Sequence, residues 1–262
     1  MLLCKMGDHS MLYHLKLIIL IYFLFYNVLY AGTMDPSNNN QLYIDYGNKF
    51  NCVVQICGTY HDDTLFCASG VTIKPRWILT AAHVVQKARV CKAKNNKSVT
   101  IVKKIIVHKK FQEHIFGNND IALLYCEKSL DEVFYPNLYN ERNELGSQCS
   151  IAGYGISGNF DTGAKISDDK KRAGTNIISY IDKDLLVCVL NDKKTFLEFL
   201  IAHGDSGGGL FINDELAGIN SCVMTTDKNP DSSYGDESGH TRISNFIEWI
   251  NTNIKENDYE EK

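Results

Sequence analysis

Three short segments hold residues whose types and order suit acyl-transfer chemistry. TAAHVV places His83 at the end of an apolar run, NNDIALL places Asp120 immediately before another, and HGDSGGG places Ser206 among glycines. A serine hydroxyl is a poor nucleophile at neutral pH, so attack on a carbonyl needs a base to take its proton, and imidazole suits that task. A carboxylate on the far ring nitrogen would hold the imidazole in the useful tautomer and stabilise the imidazolium that forms. Glycines around the serine let the backbone bend tightly and leave amide N–H groups free to face an anion. Each segment alone has a plain structural explanation: a core histidine, a turn or cap aspartate, and a loop. The string GDSGG, however, arises by chance in 262 residues only on the order of 10⁻⁴ of the time at average residue usage. Its position downstream of both other segments makes coincidence untenable.

Residues so far apart in the chain need a stable scaffold to meet. With 262 residues, 44% hydrophobic and 22% charged, the chain can bury one large core or two small ones. Disorder, collagen-like repeats and a disulfide miniprotein are excluded. The net charge of −4 gives no global reason to expect a nucleic-acid partner. Short β-rich runs recur between Gly, Asn, Asp and Ser clusters, among them CVVQICGTY from Cys52, WILTAAHVV from Trp77, DIALLYC from Asp120 and LAGINSCVM from Leu216. That rhythm predicts an all-β sandwich or barrel. One helix is expected at the end, where Ile243, Phe246, Ile247, Ile250 and Ile254 share a face and Ser244 is a candidate cap. Residues 255–262 then read as a disordered polar tail.

Residues 17–26, LIILIYFLFY, follow Lys5 and Lys16 and precede the small pair Ala31 and Gly32. This is the layout of a secretory signal peptide over 1–31, and it is short of the roughly 20 apolar residues that a membrane span requires. A retained anchor is the alternative. Cleavage near Ala31 would remove Cys4 and reduce nine cysteines to eight. Eight thiols in an exported chain favour disulfides but allow 105 connectivities. Cys52 and Cys57 would face opposite sides of one strand and are poor partners for each other. There is no CxxC pair and no Cys/His cluster at zinc spacing, so neither a metal nor another cofactor is expected.

The order His83, Asp120, Ser206 resembles the trypsin/chymotrypsin family of serine proteases, in which the three residues occur in that chain order. The likeness extends through FCASGVTIKPRWILTAAHVV, VHKKFQEHIFGNNDIALL, GSQCSIAGYG, GLFINDELAGINSC and SGHTRISNFIEWI. The resemblance covers residues 50–254 and implies two packed six-stranded antiparallel β-barrels with a C-terminal α-helix. It leaves 32–49 as an N-terminal extension or propeptide. It implies a secreted or extracytoplasmic, monomeric serine endopeptidase acting on protein or peptide substrates, with no stable membrane insertion once the signal is removed. By the same resemblance, His83, Asp120 and Ser206 are catalytic, and the N–H groups of Gly204 and Ser206 form the oxyanion hole. Ser221 matches the family serine that hydrogen-bonds the catalytic aspartate. A non-catalytic binding protein on the same fold and an esterase using the same triad are the rival readings.

Departures from the family pattern carry their own expectations. The pocket-floor position, six residues before the nucleophile, is Leu200 and is followed by Ile201. A cationic side chain would enter such a pocket unpaired, so cleavage after Arg or Lys is not expected. Val223 stands where the family has glycine, which implies a shallow pocket for small or medium apolar side chains, with Ser221 beside it. His240 lies near the same pocket, as a structural histidine or a receptor for an acidic side chain. Cys67 and Cys149 align with family cysteines whose usual partners are missing, so any bridges must be rewired. No basic residue followed by IVGG precedes Cys52, yet Asp205, which in the family pairs with the freed N-terminal amine, is present. Residues 84–119 contain nine basic residues and one acidic residue, an excess of eight positive charges that leaves an excess of twelve negative ones elsewhere. That stretch reads as a solvated strand face or as a docking patch for an acidic substrate or anionic surface. Its lack of carboxylates argues against the calcium loop of some family members.

Overall fold

The computed structural model describes residues 32–115, 117–190 and 195–259. The apolar segment 17–26 lies outside the described residues. From Gly32 the chain forms β1 (Thr33–Met34) and α1 (Asn40–Gly47) before entering the first barrel. That barrel comprises β2 (Val53–Tyr60), β3 (Leu65–Lys74), β4 (Trp77–Thr80), then, after the one-turn α2 (Ala82–Val85), β5 (Ala88–Lys94), β6 (Val99–Val107) and β7 (Ala122–Cys126). It closes in the order β2-β3-β4-β7-β6-β5 with every pairing antiparallel.

The chain continues through β8 (Gln148–Gly153), β9 (Ser157–Asn159), β10 (Gly163–Ile166), β11 (Arg172–Asp182), β12 (Leu185–Val189), β13 (Phe199–Leu200), β14 (Gly209–Ile212), β15 (Glu215–Met224) and β16 (Glu237–Arg242). Six of these close a second antiparallel barrel, β11-β12-β16-β15-β14-β8, while β10-β9-β1-β13 form a small flanking sheet. The architecture is therefore the expected pair of six-stranded barrels.

The sequence explains the strands locally. WILT and ALLYC in β4 and β7 are buried at every position, as continuous apolar runs should be. In β5, Cys91 and Ala93 are buried while Val90 and Lys92 are exposed, the period-two pattern of a strand with one wet face. One core cluster runs from Trp77, Leu79 and Leu123 in the first barrel to Phe211 and Leu216 in the second.

The terminal helix differs from expectation at both ends. Ile243–Asn245 form a 3₁₀ turn, and α3 spans Ile247–Tyr259. Ser244 is not its cap, because its hydroxyl donates to Glu144 at 3.1 Å, joining the ion pair of that buried carboxylate with Arg242. The expected disordered tail is helical through Tyr259. The Asn257 side chain is buried, accepting from Lys104 and donating to Asn253 O at 2.6 Å, so protein groups satisfy its polarity. Residues 260–262 lie outside the described residues.

The stretch 32–49 is built into the fold. Thr33 and Met34 pair with Leu200 and Phe199, and Tyr43 of α1 is fully buried. One disulfide joins Cys57 to Cys67, which face each other in register across β2 and β3. Cys52, Cys91, Cys126, Cys149, Cys188 and Cys222 are free thiols. Apolar burial pushes Cys52, Cys91 and Cys126 up to about 12, which marks them as inert packing residues.

Candidate active site

β4 delivers the chain to Ala81 and then to α2, whose single turn presents His83. Asp120 is set just ahead of β7 by Asn119, which adopts a left-handed φ of 50°. The Asp120 carboxylate is only 3% exposed. It accepts the His83 backbone N–H at 2.9 Å, contacts His83 Nδ1 at 2.7 Å and accepts the Ser221 hydroxyl at 2.6 Å. Burial pushes its pKa up, but these donors outweigh burial and hold it below the usual carboxylate value. An ionised carboxylate can only accept, so Nδ1 carries a proton, and a neutral ring would present its lone pair at Nε2.

Ser206 sits on the turn between β13 and β14, where Gly204 and Gly207 adopt φ of 89° and 85°. A side chain at Gly207 would bring Cβ to 2.1 Å from Ser69 O and from Thr80 Oγ1, so first-barrel backbone fixes this turn from outside. Ser206 O accepts from Ser69 N–H at 2.9 Å. Asp205, Gly207 and Gly208 N–H donate to Ala202, Asn220 and Asp205 carbonyls respectively. The N–H groups of Gly204 and Ser206 donate to no acceptor among the described residues. The turn therefore leaves free the two donors that an oxyanion would require.

His83, Asp120 and Ser206 all line one cavity of about 350 Å³ between the barrels. Of the expected pocket residues, Ile201, Ser221 and Val223 line it too, together with Ala202, Cys222 and Pro230. Leu200 does not: it is fully buried, pairs with Thr33 of β1 and lies behind the wall. That wall is tied down by Ser238, whose hydroxyl accepts Ile201 N–H at 2.9 Å, and by Ser232, whose hydroxyl donates to Ile201 O at 2.6 Å. His240 is also outside the cavity. It is fully buried, its Nδ1 meets Asn220 Oδ1 at 2.9 Å, and burial pushes its pKa down to about 3. It is a neutral structural histidine and cannot receive an acidic side chain.

Behind Ser206, Asp205 is buried and accepts N–H groups from Gly155 at 2.8 Å and from Ala202 and Gly32 at 2.9 Å each. With only backbone donors, burial pushes its pKa up to about 7. Sequence reasoning reached Gly32 only as the residue after the expected signal cleavage, and did not find Ser238 or His203, which also lines the cavity. The seating of Gly32 beside Asp205 depends on a two-residue strand, which has no periodicity to detect.

Two six-stranded barrels that bring a histidine, an aspartate and a serine to one cavity between them define a class of two-barrel serine peptidases. Residues 45–250 match the family model described as Trypsin, and the chain belongs to the trypsin family. It is 27% identical over 227 residues to submandibular glandular kallikrein-9 of Rattus norvegicus, covering 74% of this chain and 83% of that one. It is 27% identical over 212 residues to brachyurin of Leptuca pugilator, covering 73% and 88%. Among solved structures, a collagenase named HL collagenase superposes with a TM-score of 0.65 at 21% identity, covering 79% of this chain and 94% of the other. Neuropsin of mouse brain does so at 0.64 and 19%, covering 79% and 96%. These two likenesses concern the fold.

Proposed function

We propose that this protein is a secreted serine endopeptidase that works through His83, Asp120 and Ser206 and prefers small or medium apolar side chains on the acyl side of the scissile bond. The observation that carries the chemistry is the Asp120 carboxylate 2.7 Å from His83 Nδ1, which leaves Nε2 as the base on the cavity shared with Ser206. Ser206 Oγ attacks the carbonyl carbon as its proton passes to Nε2, and the oxyanion meets the N–H groups of Gly204 and Ser206. The C–N bond breaks as Nε2 returns the proton to the amine, and water repeats the sequence to release the acid.

The apolar preference is supported by Ile201, Ala202, Val223 and Pro230 on the second-barrel side of the cavity. The two carboxylates on the lining, Glu113 and Asp120, are engaged by Lys87 and by His83 with Ser221. An arginine or lysine would therefore lose its water without gaining a partner.

In this reading the mature chain begins at Gly32. Cutting after Ala31 converts the Gly32 N–H, 2.9 Å from Asp205, into an ammonium against a buried carboxylate. Removal of the signal alone then supplies the ion pair that the family obtains by propeptide cleavage. The testing experiment is a digest of a denatured protein library read by mass spectrometry. Cleavage after alanine, valine and similar residues is expected, and cleavage concentrated after arginine and lysine would contradict the pocket assignment.

A further inference from the structure

We propose that Asn96 is a modification site, carrying an N-linked oligosaccharide that is attached during export and shields the exposed apolar start of β6. The proposal rests on the export half of the reading above and is independent of its catalytic half.

Asn96-Lys97-Ser98 is the one Asn-x-Ser/Thr triplet in the chain, the acceptor pattern for N-glycosylation of an exported protein. It falls in the turn 95–98 that joins β5 to β6. The two asparagines of that turn are in opposite situations. Asn95 is consumed by the fold: its Oδ1 accepts Lys97 and Ser98 N–H at 2.9 and 2.8 Å, and its Nδ2 donates to Asp131 O at 2.8 Å. Asn96 is exposed, and its amide makes no hydrogen bond among the described residues. A sugar on Asn96 Nδ2 therefore displaces nothing, whereas one on Asn95 would break the turn. The residue that the triplet marks as acceptor is the one that the fold leaves open. Transfer forms a bond from Asn96 Nδ2 to the anomeric carbon of the first sugar. It breaks that carbon's bond to the diphosphate of a polyisoprenyl-diphosphate-linked oligosaccharide, the amide losing one proton as the diphosphate leaves.

The surroundings suit a sugar stem. Asn96 borders a groove of about 270 Å³ lined also by Asn48, Asn51, Asn95, Lys97 and Glu132. Amides, an ammonium and a carboxylate supply donors and acceptors for sugar hydroxyl and acetamido groups. The groove is braced from within, since Asn51 Nδ2 donates to Glu132 O at 2.8 Å and Asn51 Oδ1 accepts Phe134 N–H at 3.1 Å. Immediately past the turn, Val99 and Ile101 are 49% and 50% exposed, with Thr100 buried between them. An oligosaccharide rooted three residues from Val99 covers these aliphatic side chains, which bare would favour association between molecules. The site also stands clear of the cavity. β5 begins at Ala88, just after the turn that carries His83, and β6 ends at Val107, ahead of Asp120. β5 spans about 20 Å at the usual rise per residue, so the 95–98 turn lies at the far end of the hairpin from both residues.

The test expresses the full chain in a secreting eukaryotic cell and compares its mass before and after peptide-N-glycosidase. The secreted protein is expected to be heavier than its sequence, to fall to the unmodified mass on treatment, and to show aspartate at position 96 in the peptide map. Asn96→Gln and Ser98→Ala should each abolish the shift, and Ser98→Thr should keep it, because either hydroxyl completes the triplet. Deglycosylated protein and Asn96→Gln should aggregate at lower concentration than the parent in light scattering, with kcat/KM unchanged. Secreted protein bearing no sugar at Asn96 overturns the site, and equal aggregation of parent and Asn96→Gln overturns the shielding. Unmodified protein confined to the cytosol overturns the export reading and the site with it. Glycosylated protein that cuts no peptide overturns the catalytic reading and leaves the site standing.

Discussion

Asp120 receives three donors from two directions: backbone and ring from His83, and the hydroxyl of Ser221 from the second barrel. In the proposed mechanism its charge orients the base, so Asp120→Asn presents an amide that can donate to Nδ1 and leaves the proton on Nε2. Steady-state kinetics should show kcat lower by about 10⁴-fold with binding of a substrate analogue retained. Asp205 makes a different prediction. Its folded pKa of about 7 lies above the unfolded value near 3.9, so the stabilisation by its bound proton is full below about pH 4 and is lost as pH rises through 7. A chain still extended before Gly32 should therefore lose stability across that window, as read from urea midpoints. A chain beginning at Gly32 should not, because its ammonium favours the carboxylate. At this scale, the meeting of His83, Asp120 and Ser206 at one cavity was legible because the proposed chemistry dictates their types. Leu200 was misplaced because its orientation depends on a pairing with Thr33 that no local pattern encodes.

Elements were legible where composition, turn residues or a period marks them. Short β-rich runs between turn clusters exposed the barrel strands, and three-four spacing exposed α3. Its cap and its length were not legible, because Ser244 is claimed by Glu144, 100 residues away, and Asn257 by Lys104 of the first barrel. The helix leaves the second barrel through β16 yet packs Ile250 and Ile254 into the core cluster centred on the first. His108 meets Phe246 and Trp249 edge-on at 5.2 and 5.1 Å. α3 is thus a clasp across the barrel pair. Ile250 is fully buried, so Ile250→Ala should cost about 2–5 kcal/mol of unfolding free energy in urea denaturation. A loss under about 0.5 kcal/mol, the range of surface substitutions, would show that the helix is peripheral.

At the scale of the molecule, the cavity shared by His83, Asp120 and Ser206 exists only because both barrels are present. The first supplies His83 and Asp120, the second supplies Ser206 and Ser221, and Ser69 reaches across to hold the serine turn. The modest net charge of −4 conceals a basic first-barrel face within an acidic remainder. The cysteines showed least from sequence: the described thiols form a single bridge, Cys57 to Cys67, since spacing carries no information about register. The most direct measurement of the central claim is reaction of folded protein beginning at Gly32 with a fluorophosphonate, followed by peptide mapping. One covalent adduct on Ser206 is predicted, absent in Ser206→Ala and in heat-denatured protein. Folded protein of that form that remains unlabelled would contradict the assignment and leave a two-barrel binding protein in its place.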